Sequence, residues 1–96
     1  MEDSTSVNGS ATQQLQEIVE RAFAEAPMLY ANGFVNGLGL TDGYLVLQAN
    51  GRSIATVNMS LPVIKTLAQS LKIMIESYER EAGQTVPTLD EIQKLA

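Results

Sequence analysis

The chain has no cysteine, no histidine and no tryptophan. Without cysteine there are no disulfides, no thiolate nucleophile and no cysteine-held zinc. Without histidine, the side chain that most often moves protons near neutral pH is missing. Basic residues are also scarce, at six against eleven acids, for a net charge of −5. Arg21, Arg52, Lys65, Lys72, Arg80 and Lys94 are scattered, with no two adjacent. A nucleic-acid binder needs clustered cations to neutralise phosphates, so nucleic acid is not expected as a partner. An anionic membrane surface is disfavoured on the same ground. No apolar run approaches the ~20 residues that span a bilayer. The first residues, Met1-Glu2-Asp3-Ser4-Thr5-Ser6, are acidic and polar, unlike a signal peptide. A cytoplasmic location is the simplest expectation.

Charged residues make up only 18% of the 96, below the usual ~25%, whereas 45% are hydrophobic. A chain of this length supports one domain with a modest core. A surface this short of charge leaves apolar area for another chain to cover.

Residues 1–9 read as a disordered polar arm, followed by a single α+β domain over 10–96. Ser10 and Gln13 have capping-box spacing. Leu15, Ile18, Val19, Ala22, Phe23 and Ala26 then recur with helical period, and Pro27 stops the helix. The middle of the chain changes to a period of two. Asp42-Gly43 and Asn50-Gly51 suit two-residue type I′ turns, which predicts a three-stranded antiparallel meander. On these turns Leu40 faces Leu45, Leu38 faces Leu47, and Leu47 faces Ile54. One sheet face then collects Phe34, Leu38, Leu40, Leu45, Leu47 and Ile54. The opposite face carries small and half-apolar residues, including Gly33, Gly37 and Gly39. Its larger members, Val35, Tyr44, Val46, Ala55, Val57 and Met59, are the candidate interaction residues, since a face so poor in charge should be covered.

Ser60 caps a long helix with Pro62 in its first turn, and Gly83 ends it. The apolar arc of this helix, from Ile64 through Leu67, Leu71, Met74 and Ile75 to Tyr78, is broad enough to touch more than the sheet. Thr88 and Glu91 form a second capping box that opens a short C-terminal helix. The expected architecture is therefore an N-terminal helix, a meander, a long helix packed on the sheet and a short C-terminal helix.

No catalytic residue, cofactor or metal ligand is assigned. Gly37-Leu38-Gly39 with Gly43 fails both nucleotide-loop spacings, and no lysine follows. Asp42 reads as turn chemistry, Glu76, Glu79 and Glu81 as a solvated helix end, and Met28, Met59 and Met74 as core filler.

Tyr30-Ala31-Asn32, then Met59-Ser60, Lys65, Leu67, Leu71, Ile75, Tyr78-Glu79 and Gly83, resemble a family of short bacterial proteins known as domain of unknown function 3467. The likeness covers roughly residues 30–83. The sequence departs from that pattern where Ser60-Leu61-Pro62 stands for Ser-Pro, and where Gly37-Leu38-Gly39-Leu40 replaces a histidine-containing segment. The resemblance implies a bacterial or phage source and a ββ(β)α unit, and brings no catalytic residues.

Two functions follow as expectations. The first is a non-enzymatic protein-interaction module, a homodimer or a binder of another protein, serving as adaptor, assembly component or chaperone-like binder. The second is a small-ligand-binding protein or enzyme subunit with a pocket between sheet and helix. Tyr30, Asn32, Asn36 and Tyr44 would be its polar contacts.

Overall fold

The computed structural model describes residues 2–95, with side chains from residue 11 to 94. Its elements run α1 (Glu2–Glu25), β1 (Gly33–Leu38), β2 (Asp42–Ala49), β3 (Arg52–Ser60), α2 (Leu61–Ala82) and α3 (Leu89–Leu95). The fold is α+β in the expected order, with an antiparallel sheet of order β1-β2-β3. The chain divides into two units, Met1–Ala31 and Asn32–Ala96.

The first unit is the helix α1 and the segment after it. Helical backbone begins at Glu2, so Ser10 lies inside the helix and is not its cap. Its last backbone bond runs from Ala26 N–H to Ala22 C=O, just ahead of Pro27.

In the second unit, Asn50 (φ 52°) and Gly51 (φ 81°) make the type I′ turn between β2 and β3. The first hairpin differs from the expected one. Gly39 N–H donates to Asp42 C=O at 2.7 Å, and Leu38 pairs with Gly43, so the turn is Leu40-Thr41. Asp42 and Gly43 instead open β2, and Asp42 is not turn chemistry. The displacement is an even number of residues, which leaves strand faces unchanged. Phe34, Leu38, Leu45 and Leu47 therefore still share a face, while Leu40 stands fully exposed at the turn.

A bulge then reverses β3. Near the turn Gln48 pairs with Ser53, but beyond it Leu47 pairs with Ala55, so Ile54 is the extra residue. From there Ala55, Val57 and Met59 lie on the face of Leu45 and Leu47, and Thr56 and Asn58 cross to that of Tyr44 and Val46. The expected pairing of Leu47 with Ile54 is replaced by Leu47 with Ala55.

Strand β3 passes into α2 with no intervening loop. Ser60 is the N-cap, its Oγ accepting from Val63 N–H at 3.4 Å, and Pro62 sits in the first turn. Gly83 (φ 68°) closes the helix, its N–H donating to Glu79 C=O at 2.9 Å.

Candidate functional site

Helix α2 lies over one face of the sheet. A Cβ built on Gly43 would collide with Ile64 Cδ1, and Gly43 is the single buried residue among those described. Its place in β2 therefore comes from the close approach of the helix. Beside this contact a cleft of about 270 Å³ opens between Phe34, Asn36, Leu38, Leu45 and Met59 of the sheet and Ile64, Leu67 and Leu71 of the helix. The lining is apolar apart from Asn36 and Tyr44.

The six candidate interaction residues are not brought together. Val35, Tyr44 and Val46 stay on the face away from α2, whereas the bulge carries Ala55, Val57 and Met59 to the α2 side. On the face away from α2, Tyr44 lies across Gly37, where a Cβ would meet its ring and hydroxyl. Val35 and Val46 join it in a small apolar patch edged by Gln48, Thr56 and Asn58.

The four polar contacts of the ligand reading also separate. Asn36 lines the cleft, whereas Tyr44 borders it from β2 with its ring lying over Gly37 on the other face. Tyr30 belongs to the first unit and is exposed. Asn32 is engaged in structure: its Oδ1 accepts from Asn50 N–H at 2.8 Å and its Nδ2 donates to Asn50 Oδ1 at 2.9 Å. The pair braces the turn at Asn50-Gly51 against the start of β1, where Asn32 N–H also donates to Gln48 C=O. Sequence reasoning placed a pocket between sheet and helix but not its lining, because which strand residues face α2 depends on pairing between residues distant in the chain.

Glu79 is half-buried, and is not the free surface acid expected from the sequence. Its Oε2 accepts from Val86 N–H at 2.7 Å and holds the segment after α2 against the helix. Beyond it the expected capping box forms: Thr88 Oγ1 accepts from Glu91 N–H at 3.2 Å and Glu91 Oε1 from Thr88 N–H at 3.3 Å.

The most consequential property is exposure. Among the described residues no apolar side chain is buried. Phe23 of α1 is 68% exposed, and Leu15 and Ile18 of the same stripe are also open. On the second half of α2, Ile73, Met74 and Tyr78 are exposed, so Met74 is not core filler, and neither is Met28. Met59 alone of the three methionines is half-buried, in the cleft.

Among the described residues no cluster of acids could hold a metal ion, and no helix is long and apolar enough to cross a membrane. Comparison with family models, with curated proteins and with solved structures finds no match.

Proposed function

We propose that this protein is a non-enzymatic interaction module that associates with copies of itself, serving as an adaptor, assembly component or chaperone-like binder in a bacterium or phage. The observation that supports this reading is the open apolar surface of both units. Ordering a backbone costs about 1–2 kcal/mol per residue, and buried apolar area is the main term that offsets it. A chain that is 45% hydrophobic yet has no buried apolar side chain among the described residues gains that term by assembly. The absence of histidine and cysteine from the sequence favours a binding role over catalysis.

The test is the solution mass by light scattering across a dilution series. A dimer or larger species, losing helical signal as it dissociates, is the expected result. A cooperatively folded monomer at every concentration overturns the reading.

The cleft beside Gly43 supports a second, smaller reading, a site for a compact apolar ligand oriented by Asn36. A thermal-shift screen checks it: a ligand whose stabilisation disappears in Asn36→Leu supports this reading, and an inert screen removes it.

A further inference from the structure

The pairing of the first hairpin determines which way each backbone group of β1 points. Gly39 N–H bonds Asp42 C=O, and the same series pairs Gly37 with Tyr44, Val35 with Val46 and Gly33 with Gln48. In an antiparallel ladder, hydrogen-bonded pairs alternate with pairs whose amide and carbonyl groups face away. The odd-numbered residues of β1 therefore bond inward to β2. Phe34, Asn36 and Leu38 direct their N–H and C=O groups outward, and β1 is an edge of the sheet.

Natural edges are protected by charge, proline or a bulge. The opposite edge, β3, has Arg52 and the bulge at Ile54. Strand β1 has no charge, and none occurs between Glu25 and Asp42. Its outward residues also leave apolar side chains uncovered, with Phe34 59% and Leu38 76% exposed.

We propose that β1 pairs antiparallel with β1 of a second copy about a two-fold axis at Asn36, joining the two sheets into one. This inference rests on the self-association reading and names its surface and register. Pairing has to match outward residues with outward residues, so only even positions can oppose even positions. Centring on Asn36 sets Asn36 against Asn36 and Phe34 against Leu38 on both sides of the axis. All three outward residues are then used. Centring on Val35 instead sets Leu38 against Asn32, whose carboxamide is already bonded to Asn50.

The side chains agree with this register. Phe34, Asn36 and Leu38 lie on the α2 face and line the open side of the cleft. Each Phe34–Leu38 pair covers two exposed apolar groups and walls the cleft. The two Asn36 carboxamides meet at the axis, each with a donor and an acceptor for the other. A second copy is favoured as occupant because this trio is its own antiparallel complement, apolar at each end and amide in the middle. The uncharged strand also lets two chains of net charge −5 meet without opposing like charges.

The absence of cysteine makes the test clean. Asn36→Cys places one thiol at the axis, and directly opposed hydrogen-bonded residues lie ~5.5 Å apart, within the ~4.4–6.8 Å a disulfide spans. Mild oxidation of Asn36→Cys should give a covalent dimer. Phe34→Cys mixed with Leu38→Cys should cross-link as a heterodimer, while Thr41→Cys, at the exposed turn, should remain largely uncoupled. Separately, Asn36→Pro removes an outward donor without touching a bond to β2, and should raise the dimer Kd by more than about tenfold, with the far-UV circular dichroism of the assembled protein retained at concentrations above that Kd. If the unmodified protein is a dimer but Asn36→Cys does not couple, or couples no better than Thr41→Cys, this edge is not the interface and self-association stands. A monomeric unmodified protein overturns both.

Discussion

Gly43 has no side chain, and Ile64 Cδ1 fills the space one would need. The contact involves the end of a side chain that can rotate, so overpacking there should cost at the low end of the usual range. Gly43→Ala is expected to destabilise the fold by about 1 kcal/mol. Ile64→Val, which removes Cδ1, should recover part of that loss in the double variant, as read by urea denaturation. Two additive single effects would show that the two residues do not press on one another. Asn32 presents a different case, since both of its side-chain bonds go to Asn50 in an exposed turn. Asn32→Ala should cost about 0.5–1 kcal/mol in thermal denaturation. Asn32→Asp keeps the acceptor for Asn50 N–H and should lose less. Equal losses for the two substitutions would assign the effect to something other than the bond to Asn50 N–H.

Element boundaries in the second unit follow from local chemistry. Ser60 with Pro62 starts α2, Gly83 stops it, and Thr88 with Glu91 starts α3. Each of these depends on residues within a few positions of one another, which is why all were legible in the sequence. Helix α3 spans only Leu89–Leu95, too short to persist without its cap. Thr88→Ala should therefore release it locally: amide exchange at Ile92 and Gln93 should accelerate several-fold while the amides of β2 are unchanged. Uniform acceleration along the chain would mean that α3 contributes to global stability. The strand faces were less legible. The first turn moved by an even number of residues and left the β1 and β2 faces intact, but one extra residue at Ile54 reversed β3. A bulge has no composition of its own, so alternation alone could not place Val57 and Met59 under α2.

Considered whole, the molecule has the patterning of a globular protein and none of its apolar side chains buried among those described. The apolar patch of Val35, Tyr44 and Val46 on the sheet face away from α2 is part of that open surface. If assembly covers it, Val46→Asp places an unpaired charge in the covered surface and should weaken assembly by on the order of 3 kcal/mol. Glu20→Lys, on an exposed position of α1, should leave it unchanged within ~0.5 kcal/mol. Concentration-dependent light scattering of the two variants checks this, and equal dissociation constants would show that the Val46 face stays in water. Val57→Asp tests the other side of the sheet, because Val57 shares the face that α2 packs against.

By itself the sequence determined the order of elements, the three-stranded meander, the turn at Asn50-Gly51 and the caps of α2 and α3. It also determined the inventory of side chains, with no histidine or cysteine available for chemistry. These are properties of composition or of residues close together in the chain. Tertiary structure alone decided that Gly43 lies beneath Ile64, that the bulge sends Val57 and Met59 toward α2, and that Leu38 pairs with Gly43 across a turn at Leu40-Thr41. Each depends on register or helix approach between residues distant in the chain, and a shift of a single residue exchanges which side chains face the helix and which face away.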